Sequence, residues 1–500
     1  MKNITNYFSK IIYVLIACAY TKLVLDIVLQ DFIGRATGTV LWRILQWLLI
    51  STAFFVTGLL IYKKHLFIEK HANKIVYIYI IVLFCAQVLL GNELRVIPKY
   101  DFSAIYHGAI DWLVTGTFEQ FYEYYYYYPN NLGPMFFLMM LFQVASKVGI
   151  FDFYMIGIIV NCLMNGLMVW LTYVLCKRFF SISQAMMAVL LYAIYPPMYL
   201  LGAVFYTDQL TMMFPVALII VFYIMRQKSD SISIIGWSVL ISVICIAGYM
   251  LKPTVLIVWI AILCVLFLDR KWKHLLTLLV SFLLIFFVTH LGFDNYIYSN
   301  HLNEEKAQMM NTPTETWILM GLNDNPGFSP EDTEFSRAII NPAERKEVVR
   351  NEIKNRIKSY GVIDLIEHLE RKGVMAFGDG TFELSYTFLF GFENDTKFEK
   401  SITLLGENYH KYWELCSAIW YVMLFYSVYG MIHDAYSAIK KQNVDLRNMV
   451  ISLSVFGLLC FLLMWEIHSR YIVNYFSCFV LLATNGITKL LQRDNRTQMD

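Results

Sequence analysis

Charge is what this chain has least of. Of its 500 residues, 16% are Asp, Glu, Lys or Arg, against 58% hydrophobic and 16% aromatic, and the mean hydropathy is +0.53. Soluble domains carry about a quarter charged residues, so the composition excludes a soluble enzyme and implies a chain solvated by lipid. A net charge of +2 says nothing about nucleic acid, and no tandem basic-aromatic patch is present, so no nucleic-acid partner is expected. The nine cysteines, from Cys18 to Cys478, each fall in an apolar segment, which argues against a disulfide framework. Cys/His ligand spacings, internal repeats and low-complexity linkers are also missing. The N-terminus "MKNITNYFSKIIYVLIACAYTKLVLDIVL" begins like a signal peptide but lacks a small-residue cleavage site, and its apolar stretch runs too long. A retained first helix is expected.

What the chain has in abundance is long apolar stretches. Crossing about 30 Å of hydrocarbon at about 1.5 Å per residue takes about 20 residues. Stretches 8–29, 40–62, 75–91, 153–176, 184–203, 209–225, 233–250, 253–268, 274–290, 412–433, 448–466 and 471–490 meet that need, about twelve in all. Residues 134–150 are ambiguous by length. If they do not span, "KKHLFIEKHANK", "CKRF", "MRQKSD", "LDRKWKH", "KKQNVDLR" and the tail fall on one side with both termini, giving that side roughly nineteen Lys and Arg against about four opposite. The positive side faces the cytoplasm, so 134–150 is expected to lie against the outer surface. An all-α polytopic membrane protein follows. It has two N-terminal spans in 1–74, a core in 75–290 with a first outer loop at 92–152, a second outer loop at 291–411, and C-terminal spans in 412–500.

The second loop carries a helix signal in "NPAERKEVVRNEIKNRIKSYG", with Asn341 as N-cap, Pro342 in the first turn and Gly361 at the end. Val349, Ile353 and Ile357 recur every four residues, as on a helix lying along a surface. A more apolar helix and an Asp-Gly turn, "DGTFEL", follow.

The expected outer face gathers the groups that can do chemistry. Asp101 opens an amphipathic segment whose Ala104, Ile105, Gly108, Ala109 and Trp112 form a packing face. It reads either as an N-cap or as a general base at the mouth of a membrane cavity, with Glu93 and Asp111 as competitors. Asp208, in "FYTDQL", is a second acid at a span edge. The two acids could together position a hydroxyl, or one could support the other through a metal or a basic group; Asp208 also reads as a cap. Lys252 precedes Pro253 at another edge, and Glu466, His468 and Arg470 lie between the last two spans. Such cations suit a lipid phosphate or simply snorkel to headgroups. Lys22 and Asp26, four apart, read as a structural pair. The run Tyr124 to Tyr128 suits an interfacial aromatic belt; alternatively Tyr127 and Tyr128 wall an acceptor pocket, with Asn130 and Asn131 turning the chain toward it.

Asp101 after a proline, "YPNN" some residues on, then "FYTD", "LKPT", "DGTF" and "EIHSRY", in that order, resemble the membrane glycosyltransferases of the GT-C fold. Within these the chain is similar to the bacterial branch related to glycosyltransferase family thirty-nine, the protein O-mannosyltransferases, and to the lipid A aminoarabinose transferase. The resemblance covers most of the chain from about residue 75. It implies transfer of a sugar from a polyprenyl monophosphate donor to an acceptor outside the cytoplasmic membrane, be it a cell-envelope glycan, a polymer or a protein. It implies Asp101 as catalytic base, Asp208 as the family's second acid, and Lys252 and Arg470, with His468, as phosphate-binding cations. Phe102 stands where a paired-acid motif would place another acid, which leaves a divalent metal open; no other cofactor is expected. One displacement at the anomeric carbon would invert its configuration. The rival reading is a transporter or flippase of a lipid-linked sugar, which wants charged residues through mid-membrane and two related halves.

Overall fold

The structure, a computed structural model, describes residues 2–33, 36–440 and 444–497, with backbone alone at 2–4, 37 and 493–497. The extreme termini, which the sequence places on the cytoplasmic side, and part of the "KKQNVDLR" connection lie outside the described residues. The chain is an all-α, multi-pass membrane protein. Among the described residues nine helices are long and apolar enough to cross a membrane, and all nine coincide with expected spans. The other three expected spans are helical but shaped differently. Residues 184–203 are bent by 69° between Ile182–Ile194 and Pro197–Ala203. Pro196 and Pro197 supply no N–H, and Pro196 turns its predecessor Tyr195 out of helical geometry, at φ −90 and ψ +108, so one straight rod cannot form.

Pro253–Leu268 and Met449–Met464 are shorter apolar helices. At 16 residues, Met449–Met464 reaches about 24 Å, roughly 6 Å less than the hydrocarbon thickness. The two pack against each other.

Helices Lys2–Phe32 and Thr37–Lys63 pack on Tyr409–Lys440, which in turn runs along Phe476–Thr497. That last pair approaches closely at Gly430 and Gly486, where a Cβ added to Gly486 would sit 1.8 Å from the Tyr426 carbonyl oxygen. Leu132–Lys147 falls short of the span criteria and packs on Tyr100–Thr115.

At the end of the bundle that carries the long loops, Pro342–Phe377 is capped by Asn341, whose side chain accepts from the Ala343 and Glu344 amides at 2.9 and 3.2 Å. Gly361 breaks it with φ +68, a conformation that costs glycine nothing, and helix resumes beyond. Lys22 pairs with Asp26 at 2.6 Å, as its spacing suggests, and also with Glu370 of this loop at 2.8 Å. The two long loops are joined as well. Val96 and Phe392 form an antiparallel bridge, with the Ile97 amide donating to Gly391 and that of Glu393 to Arg95.

Because the Gly486 contact is backbone to side-chain position, rotamer changes cannot relieve it. Gly486→Ala is expected to cost about 2 kcal/mol and to lower the unfolding midpoint in detergent by several degrees, whereas Gly292→Ala, in a helix interior with open space around its Cβ, does not lower it.

Candidate functional site

Between the loops and the ends of the spans lies a cavity of about 2100 Å³, walled by Asp101, Tyr124, Tyr128, Asn130, Asn131, Lys252, Glu383, Glu466, His468 and Arg470 among others. The sequence scatters these groups over some 370 positions; local rules bring each one here. Pro253 disfavours helical geometry at the residue before it. Lys252 is accordingly extended, at φ −155 and ψ +117, and leaves the axis of Ser231–Leu251. Its ammonium meets the carboxylate of Asp208. Arg470, in the 3₁₀ turn before Phe476–Thr497, approaches the other Asp208 oxygen at 3.7 Å. Lys252 and Arg470 also share the ring of Tyr471, at 4.4 and 5.5 Å.

Asp208 itself is fully buried and does not reach the cavity wall. From there it does not touch an acceptor hydroxyl, so the direct catalytic role among those open to a second acid is not met. Lys252 and Arg470 stand between it and the open volume, so its chemistry is to hold two cations together.

Asp101 does reach the cavity. It sits in the first turn of Tyr100–Thr115 without acting as N-cap, a position Lys99 holds without a side-chain bond. Two phenols hold the carboxylate: Tyr124 donates to Oδ1 at 2.7 Å and Tyr206 to Oδ2 at 3.3 Å. Asn131 in turn donates to the Tyr124 oxygen, and Asn130 to Asn131 at 3.2 Å. Burial, and then the charge of Asp101, push the Tyr124 hydroxyl well above its ordinary range, so it remains a proton donor to the carboxylate.

The tyrosine run divides its labour. Tyr125 is buried and donates to the Ala104 carbonyl at 2.9 Å. Tyr126 accepts from the Asn303 amide at 3.0 Å. Tyr127 carries the Arg337 guanidinium 3.6 Å above its ring and does not line the cavity, contrary to the expected sugar contact. On a helix, Tyr122–Tyr127, successive rings point about 100° apart, and Tyr127 falls on the face turned to the second loop. Tyr128 lines the cavity, accepts from Arg337 at 3.0 Å and packs on Trp317.

One acid escaped the sequence reading. Glu383, directly after "DGTF", accepts from His468 Nδ1 at 2.7 Å and lies 3.9 Å from Arg470. Burial alone would raise its carboxyl pKa, but His468 and Arg470 outweigh burial and hold it below the usual range. The turn that presents it is strained: Phe382 and Glu383 have φ of +55 and +60, and Tyr100, beside Asp101, has +52. Each costs about 1–2 kcal/mol. The surroundings impose them. Trp420 donates to the Phe377 carbonyl at 2.7 Å, Tyr421 to Gly378 at 2.8 Å, and Tyr195 to Gly380. Asp379 accepts from the amides of Thr381 and Glu383 and from the Ser469 hydroxyl. The missed signal was the acid itself, next to a motif already singled out.

Among the described residues no group of three or more His, Cys, Asp or Glu side chains is disposed to hold a metal ion. The carboxylates near the cations are already engaged by them, so the donor set does not fit a divalent metal and no step is assigned to one.

A family model described as "Conserved hypothetical integral membrane protein" matches residues 1–489. No curated protein matches the chain. Among solved structures, the crystal structure of ArnT from Cupriavidus metallidurans bound to undecaprenyl phosphate is similar at 11% identity and a TM-score of 0.35, covering 83% of this chain and 78% of that one. Likeness at that level carries no argument about fold or function.

The geometry separates the two acids. Asp208→Asn leaves two buried cations facing each other and is expected to cost about 3 kcal/mol, read as a lowered thermal midpoint. Asp101→Asn keeps an oxygen to accept from Tyr124 and leaves the stability within about 1 kcal/mol of the parent.

Proposed function

We propose that this chain, which belongs to the family of conserved hypothetical integral membrane proteins, is a glycosyltransferase of the GT-C type that moves a sugar from a polyprenyl-phosphate donor to an acceptor hydroxyl outside the cytoplasmic membrane. The observation that carries this reading is the pairing of Lys252 and Arg470 on buried Asp208 in the same cavity as the tyrosine-held carboxylate of Asp101. A phosphate needs cations and the acceptor needs a base, and both sit around one volume.

Depth supports the same substrate. Lys252 and Glu466 flank the ends of the two short helices, Pro253–Leu268 and Met449–Met464. Lys252 also closes the full-length span Ser231–Leu251, so these groups stand where spans end, the level of a lipid phosphate. Several lining groups beside them are apolar, Leu256, Ile257, Ile260 and Phe461 among them.

In this reading Lys252, Arg470 and His468 hold the donor phosphate and stabilise the charge that grows on it as the anomeric bond breaks. A lipid phosphate is already a competent leaving group and needs no acid. Asp101 takes the proton from the acceptor hydroxyl as its oxygen attacks, and a single displacement inverts the anomeric centre. Tyr124, Tyr206 and Asn131 keep the carboxylate aimed. The acceptor enters from the side lined by Tyr128, Asn130 and Trp317. The transporter reading is less well supported, because the cavity's charged groups cluster at one end of the bundle.

Sugar release from radiolabelled polyprenyl-phosphate sugars by the purified protein tests the proposal without a gradient. The parent is expected to turn over, and Asp101→Asn to lose about a thousandfold in rate while still binding donor. Full activity in Asp101→Asn would remove this residue as base, and no turnover with any donor and acceptor would sink the transferase.

A further inference from the structure

The cations that face the cavity are bracketed by acids that face it too. His468 has Glu383 Oε1 at 2.7 Å from Nδ1 and Glu466 Oε2 at 3.6 Å from Nε2. Glu383 also approaches Arg470 at 3.9 Å. Both acids line the same cavity, unlike Asp208. Glu466 is almost wholly buried, its Oε1 accepts from Tyr471, and its Oε2 makes no hydrogen bond. The strained turn at Phe382 and Glu383, cross-tied by Asp379 to Ser469 at 3.0 Å, holds the nearer acid in place.

Such an arrangement is not what a site for high negative charge needs. A fold that only had to attract phosphate would leave Lys252, Arg470 and His468 with their counter-charge behind them, as Asp208 is. Placing two more carboxylates beside the cations limits how much anion the wall accepts. A sugar-loaded lipid monophosphate brings one negative charge, and the released monophosphate about two. A diphosphate brings a further phosphoryl group, and the polar atoms next to the cations that it would meet are the oxygens of Glu383 and Glu466. Like charges placed against each other in a poorly solvated site repel.

We infer that Glu383, with Glu466, is a specificity-determining residue that restricts the cation cluster to lipids carrying one phosphate and rejects those carrying two. The inference rests on the donor class proposed above and adds the residues that choose within it. Glu383 needs no contact with the reacting atoms for this; its charge and its fixed place in the turn suffice.

Displacement of labelled polyprenyl monophosphate from the purified full-length protein reads the selectivity directly and needs neither acceptor nor turnover. Unlabelled monophosphate is expected to compete about tenfold or more better than a diphosphate of the same chain length. Glu383→Gln is expected to bring that ratio close to one, and Glu383→Asp to retain it. A purely structural role for Glu383 would weaken both lipids alike and leave the ratio unmoved, which would overturn the inference. Equal competition in the parent protein would overturn it as well while leaving the transferase reading standing, and this comparison does not depend on any variant folding. Failure of the parent to bind the labelled monophosphate at all would overturn both.

Discussion

Two cations held close together inside a membrane protein repel each other, and each has left water to be there. Asp208 makes their convergence stable: one fully buried carboxylate contacts Lys252 through one oxygen and Arg470 through the other. The three residues come from three segments, the short turn Thr207–Leu210, the break between Ser231–Leu251 and Pro253, and the turn ahead of Phe476–Thr497. Their meeting therefore fixes how those spans end relative to one another. A buried pair is weak evidence of net stability, since well-packed apolar groups often do as well. Its persistence here is better explained by the need for cations in the cavity wall than by any gain to the fold.

The strained turn follows from the same need. Asp208 neutralises one of its two neighbours, and His468 adds a third group that wants an anion. Glu383 supplies it, but only from backbone angles that a side-chain-bearing residue seldom adopts. Three aromatic donors from Trp420, Tyr421 and Tyr195 pin the carbonyls before and within the turn, and Asp379 ties it to Ser469. Several net contributions of about 1 kcal/mol each offset a strain of similar size. Stability is thereby converted into the placement of one carboxylate.

The spans were legible in the sequence because lipid imposes a harsh rule: backbone groups must satisfy one another, so apolar length translates into helix. The bend at Pro196 and Pro197 was legible in principle from the residues that cause it. Asp101, Lys252, His468 and Arg470 were recognisable because each is a charge at the edge of an apolar stretch. Glu383 was not, since its partner His468 is 85 positions away and only the folded chain joins them. Asp208 and Tyr127 show the other limit. Their residue type and level in the bundle were readable, but whether a side chain faces a cavity or turns its back on one depends on rotation about an axis that packing decides. The same limit applies to Asn131, whose amide serves Tyr124 before it can serve any ligand.

The tyrosine run shows how the site and the loops depend on each other. A phenol contributes a large apolar face and one polar tip, so a helix of them can pack on every side and still make a hydrogen bond in each direction. Tyr124 turns to Asp101, Tyr125 to the backbone of Tyr100–Thr115, Tyr126 to Asn303, and Tyr127 and Tyr128 to Arg337 on the second loop. Phenylalanines in the same places would bury about as much area but leave the Asp101 carboxylate without its donor and the Asn303 amide without its acceptor. A membrane belt would need only rings at the interface. The observed division needs a hydroxyl on four of the five residues, Tyr124 to Tyr126 and Tyr128, and an aromatic face at Tyr127. The run thus acts as a joint that fixes the first long loop to the second while aiming the acid between them.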